Sequence, residues 1–161
     1  MMKKILAPTL MLGLAITLTL GASANDALVR FRGGIGVLPV KRNVAPFATN
    51  IVLNVNPASQ PWVIESLSAD VKTDGRISVD GRGLLLRGGE GIGGNGAQSV
   101  RARLFCDGQV SAQTGLVPLQ PDGGFRIDGA LNPVPAVPCN RPVLLIVGGG
   151  GNWFAAGMRK H

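Results

Sequence analysis

The chain has 161 residues, with 16 lysines and arginines against 9 acidic residues, a formal net charge of +7, two tryptophans, five phenylalanines and no tyrosine. Its one histidine is the last residue, His161, so no imidazole is placed to serve a catalytic triad or to anchor the usual zinc and copper sites. This inventory argues against an enzyme and against a bound metal or cofactor. It also argues against nucleic-acid binding, which would interleave aromatics with the arginines.

Lys3 and Lys4 precede an apolar run from Ile5 to Leu20, and Ala22-Ser23-Ala24 follows with the small residues that a signal peptidase reads. The run is about 16 residues, short of the roughly 20 that span a bilayer as a helix. The sequence therefore predicts a signal peptide over residues 1–24, in preference to a retained anchor, and one β-domain over residues 25–161. Residues 25–61 form an entering arm with partial strands. No later stretch is long enough to cross a membrane as a helix. The exported protein would reside in the periplasm or outside the cell, where thiols are oxidised. Cys106 and Cys139 are the only cysteines, and in an exported chain such a pair reads as one intrachain disulfide, closing a loop of about 34 residues.

Beyond residue 24 the chain consists of short alternating apolar runs separated by Gly, Asp, Asn and Pro, with no helical stripe. Leu28–Phe31 and Ile35–Val40 read as two strands or as one strand bent at Gly33-Gly34. Ile51–Val55 alternates with asparagine, and Pro57 to Pro61 makes a corner. From Trp62 onward, Val63, Leu67, Ala69 and Val71 share one face and Ser66, Ser68, Asp70 and Lys72 the other. Thr73-Asp74-Gly75-Arg76 then reverses the chain into Ile77, Val79 and Leu84–Leu86, an Asp-Gly hairpin signal, with Gly81 and Gly83 marking a bulge. In Ser99–Asp107, Val100, Ala102, Leu104 and Cys106 face inward and Arg101 and Arg103 outward. Val110–Leu119 reads as the next strand, turned by Pro121–Gly124 into Phe125, Ile127 and Leu131. A proline-rich bridge, Asn132–Pro138, leads to Cys139. Val143–Val147 is continuously apolar, as in a strand covered on both sides, and Trp153–Met158 closes the domain. The pattern predicts a single immunoglobulin-like β-sandwich of about eight or nine strands.

Few segments suggest chemistry. Gly91, Gly93 and Gly96 in the Gly88–Gly96 stretch match G-x-G-x-x-G, but Ser99–Phe105 alternates as a strand where a dinucleotide fold needs a helix. That stretch reads as an inter-strand loop, with contact to a partner as the alternative. The five Asp-Gly pairs, at Asp74, Asp80, Asp107, Asp122 and Asp128, read as turn devices, because calcium requires acids at alternate positions within one loop. Glu65 falls in an apolar row, so it stands either at a strand end or near the core, with Asp70 or Asp80 as the partner that a hydrolase would require. Arg76, Arg82, Arg101 and Arg103 would form an anion-binding face if their strands are neighbours, unless Asp70 and Asp80 neutralise them across strands. Trp62 and Trp153 read as core plugs, with partner or sugar contact as the alternative.

Lys72-Thr73-Asp74-Gly75-Arg76-Ile77-Ser78, then Arg101-Ala102-Arg103-Leu104-Phe105-Cys106, and finally Cys139–Ile146 with Trp153-Phe154-Ala155-Ala156-Gly157 resemble a group of small, uncharacterised exported bacterial proteins. The resemblance implies export and a stapled β-domain and carries no catalytic residue. The reading that results is an exported, non-enzymatic β-sandwich protein that binds or supports structure at the cell envelope or outside the cell, with an envelope protein or acidic polysaccharide as partner. The alternatives are an anionic polysaccharide-binding or adhesive module and a carboxylate-dependent hydrolase built around Glu65.

Overall fold

The computed structural model describes residues 26–40 and 50–160, and the expected signal peptide over residues 1–24 lies outside the described residues. The described chain is all β. Its strands are β1 (Ala27–Gly36), β2 (Trp62–Val63), β3 (Ser66–Lys72), β4 (Arg76–Arg82), β5 (Leu85–Leu86), β6 (Ser99–Cys106), β7 (Gln109–Gln113), β8 (Val117–Pro118), β9 (Phe125–Ala130), β10 (Val143–Gly148) and β11 (Trp153–Arg159). The count of eleven exceeds the expected eight or nine because β2, β5 and β8 are two-residue pieces that pattern reading merges with their neighbours.

Nine strands make one antiparallel sheet in the order β7-β6-β10-β11-β1-β3-β4-β9, with β8 also paired to β6, and β2 pairs β5 separately. This is the all-β sandwich expected from the alternation, with the hydrogen bonding running on from one half to the other. Gln113 and Asn132 then exchange backbone hydrogen bonds, which ties β7 to the residue just past β9 and brings the wall nearly to closure.

The alternation read from the sequence places the core. Leu67, Ala69, Val71, Ile77 and Val79 are buried across the β3–β4 hairpin, whose register runs unbroken from Val71 opposite Ile77 to Ser66 opposite Arg82. No bulge interrupts it at Gly81. A β-carbon there would lie 2.2 Å from the Phe125 ring, so this glycine leaves room for an aromatic on the adjacent strand. Strand β1 is single, with a bulge between Phe31 and Gly34, the bent-strand alternative. Ile51–Val55 is not a ladder strand: Val52 and Val55 bond each other in a tight turn. Strand β10 is covered on both sides, as expected. Leu144 and Ile146 face the interior, while Leu145 and Val147, which point away from it, are also fully buried. The segment around Asn56–Ala58 is hydrogen-bonded onto Trp153, and Val55 and Ala58 are buried in the same cluster.

The expected strand Val110–Leu119 is split. Thr114 accepts the Ala102 N–H through Oγ1 at 3.0 Å and donates its own N–H to the Ala102 carbonyl at 2.9 Å, so a side chain takes a ladder position. From Arg103 to Val100 the chain advances three residues, while the facing chain advances four, from Gln113 to Val117. The extra residue shifts the phase between β7 and β8. Leu131 donates to Gly75, the residue just before β4, while Asn132 donates to Gln113. Hence odd-numbered residues of β9 bond β4, and the backbone groups of Arg126, Asp128 and Ala130 point toward β8. No backbone hydrogen bond joins β8 to β9 among the described residues. Pro118, which lies beside Arg126 in the hairpin, has no N–H to give. The wall is thus bonded at Gln120–Gly124 and at Gln113–Asn132 and unbonded between them.

Cys106 and Cys139 form the expected disulfide, with α-carbons 5.0 Å apart. It joins the end of β6 to the chain entering β10, the strand next to it, rather than bridging two sheets. Asp107 N–H donates to the Asn140 carbonyl beside it. The disulfide lies at the end of the wall opposite Gly36, Ser99 and Gly148, which mark the other mouth.

Candidate functional site

The arginines do not gather as a patch. Arg76 and Arg82 sit on β4 and Arg101 and Arg103 on β6, and the strands between them keep the two pairs on separate parts of the wall. The β4 pair is also engaged. Arg76 Nε is 2.6 Å from Asp74 and its Nη2 3.6 Å from Asp26, and Arg82 Nε is 3.6 Å from Asp80. On β6, Arg103 Nη2 donates to Gln113 at 3.1 Å, and its Nε is enclosed with no partner among the described residues.

The outer face of β1, β3, β4 and β9 carries a cross-strand ionic ladder instead. Alternation exposes one row from each strand, and the register sets Arg30 opposite Asp70, Ser78 opposite Asp128 and Asp80 opposite Arg126. Asp70 receives Arg30 at 3.2 Å and Arg32 at 2.9 Å. Asp128 receives Arg126 at 2.5 Å and the Ser78 hydroxyl at 2.7 Å. The Arg126 bond, with Ser78 second, holds the Asp128 carboxyl below its ordinary pKa. Lys72, bonded at 2.6 Å, does the same for Asp26. The Arg76 N–H, followed by its guanidinium, does so for Asp74. A groove of about 470 Å³ over this face is lined by Lys72, Arg76, Ser78 and Asp128, all but one of them in the ionic ladder and Ser78 bonded to it. The neutralisation weighed from the sequence takes other partners: Asp70 pairs across strands with Arg30 and Arg32, none of the four arginines, while Asp80 meets Arg82 along β4 and Arg126 across to β9.

Glu65 is exposed at the break between β2 and β3, the strand-end alternative. Asp70 and Asp80, the two acids considered as its partners, turn to arginines. Among the described residues no three His, Cys, Asp or Glu side chains come together as a metal site.

Both tryptophans are buried. Trp153 donates its indole N–H to the Asn50 carbonyl at 2.8 Å and is fixed in the interior. Trp62 differs. It stacks on Phe154 with ring centroids 4.4 Å apart and planes 6° from parallel, and it lines a cleft of about 300 Å³ at the mouth away from the disulfide. Leu86 completes the apolar floor, and Ser59, Gln60, Gln98 and Asn152 stand around it. No charged side chain lines this cleft. Two glycine-rich turns build its walls. The Gly88–Gly96 loop folds back onto β5, with Leu86 donating to Gly94 and Gly93 donating to Leu86, and forms no helix, as expected. The Gly148–Gly151 turn closes with Gly148 donating to Asn152.

Phe154, Gln60, Gln98 and Asn152 were not legible as site residues. The traces of the cleft in the sequence are Trp62, for which partner or sugar contact is the alternative reading, and two glycine-rich turns far apart in the chain. No family model, curated protein or solved structure matches the chain. The disulfide fits an environment outside the cytoplasm, and no helix among the described residues is long and apolar enough to cross a membrane.

Proposed function

We propose that the chain is an exported, non-enzymatic β-domain that works in the periplasm or outside the cell by holding a component of the cell envelope or its surroundings in the cleft beside Trp62. The observation that carries the reading is the cleft itself: about 300 Å³, with an aromatic and aliphatic floor and a rim of neutral hydrogen-bonding side chains. Concave sites with a largely apolar lining and a few convergent polar groups are where ligands bind, and the mouths of β-barrels are among their usual places. The charged residues at the N-terminus, the apolar run after them and the oxidised cysteine pair support the export half of the reading. The engaged arginines of β4 speak for a neutral cleft over an anion-binding face.

Full-length chain produced in bacteria should be recovered outside the cytoplasm with residues 1–24 removed, as intact mass will read. The purified protein should be retained on isolated envelope material. Ser59→Trp, placed on an exposed rim residue to fill the cleft, should abolish retention while leaving the unfolding midpoint unchanged. Equal retention of wild type and Ser59→Trp would defeat the reading.

A further inference from the structure

We infer that the ligand of the Trp62 cleft is a short uncharged saccharide, one or two of whose rings the cleft holds; this rests on the binding role proposed above and names its chemistry. Three observations carry it. The first is charge: every side chain lining the cleft is neutral, although the chain is basic overall. A carboxylate, sulfate or phosphate would find no cation there, and an organic cation no acid.

The second is the kind of polar group. Gln60 and Asn152 have no side-chain hydrogen-bond partner among the described residues, and Gln98 uses only its Nε2, which donates to the Gly96 carbonyl at 3.1 Å. Each amide offers both a donor and an acceptor, which matches the paired donor and acceptor character of sugar hydroxyls. Trp62 and Leu86 give the apolar surface on which the C–H face of a ring can rest.

The third separates a saccharide from a peptide. An extended peptide binds by adding a strand to unpaired main chain, and the strand residues Trp62, Leu86 and Gly148 that line the cleft already have their N–H groups bonded. Trp62 N–H goes to Val37, Leu86 N–H to Gly94, Gly148 N–H to Asn152 and Ala58 N–H to Trp153. Recognition is left to side chains and to the ring surface. A volume of about 300 Å³ holds a short carbohydrate and little more.

The test titrates the purified chain with the neutral trisaccharides maltotriose, cellotriose and chitotriose and with anionic trigalacturonate, following tryptophan emission and confirming by calorimetry. At least one neutral trisaccharide should bind saturably, and trigalacturonate should not. The double substitution Gln60→Ala with Asn152→Ala, whose side chains make no hydrogen bond among the described residues, should weaken that binding about tenfold without moving the unfolding midpoint. Preferential binding of trigalacturonate, or neutral binding unaltered by the double substitution, would overturn the inference. The envelope assay separates the two levels. Retention that Ser59→Trp abolishes but no neutral trisaccharide competes overturns the saccharide while the binding role stands; absence of retention removes both.

Discussion

Gly148 and Phe154 share one space: a β-carbon built on Gly148 would lie 2.4 Å from the Phe154 ring. The glycine at the end of β10 is thus the reason the ring can lie flat against Trp62, and the cleft floor depends on a residue with no side chain. Gly148→Ala should cost about 1–3 kcal/mol, as overpacking does, and should alter the near-ultraviolet circular dichroism of the Trp62–Phe154 stack. Urea unfolding and that spectrum check it together; wild-type values for both would contradict the packing described.

The seam between β8 and β9 should be visible in amide exchange. The N–H groups of Phe125, Ile127 and Gly129 face β4, whereas those of Arg126, Asp128 and Ala130 face the unbonded side. Exchange along β9 should therefore alternate, with the even-numbered amides at least tenfold faster than their odd-numbered neighbours. Uniform protection would mean that the wall is bonded throughout.

Replacing Cys106 and Cys139 by serine should lower stability by about 3–4 kcal/mol, as expected for a closed loop of this length. The sequence separation is 33. The midpoint of denaturant unfolding, compared with wild type under oxidising conditions, measures it. The variant should still fold, since most of the buried cluster lies away from the bond.

Acid should weaken the molecule through Asp26, Asp74 and Asp128. Their folded-state pKa values lie below the ordinary carboxylate value because of Lys72, Arg76 and Arg126 respectively. A depressed folded value stabilises above the unfolded pKa of about 3.9 and ceases to do so as the pH falls through the folded value. The melting temperature should stay level from about pH 5 to about pH 8 and decline below about pH 4. All three acids are exposed, so the contribution is small and added salt should shrink it. A decline between pH 6 and 8 would point to groups other than these.

What the residues disclosed in advance follows a physical divide. Strand alternation is local, so β6 with its inward Cys106 and the β3–β4 hairpin with its Asp-Gly turn could be read directly. The break at Thr114 could not, because it depends on a hydroxyl taking the place of an amide partner. Which strands become neighbours is a property of the whole sheet. Arg76 and Arg101 therefore looked like members of one face and stand on strands that are not adjacent. Trp62 and Trp153 have the same composition signal, and only the packing separates a ring that lines a cleft from one fixed to Asn50.

The stretch of wall left unzipped beside Arg126 bears on how this chain survives in company. A row of unsatisfied amides and carbonyls invites an extended segment of another molecule to pair with it and start a fibre. Here a solvated cation and anion, Arg126 and Asp128, alternate along that border, and stripping their water would oppose such growth. Pro118 across the gap offers no donor to extend the pairing. The opening is bordered by charges whose desolvation would oppose accretion, so the cylinder can stay incompletely laced without presenting a bare edge.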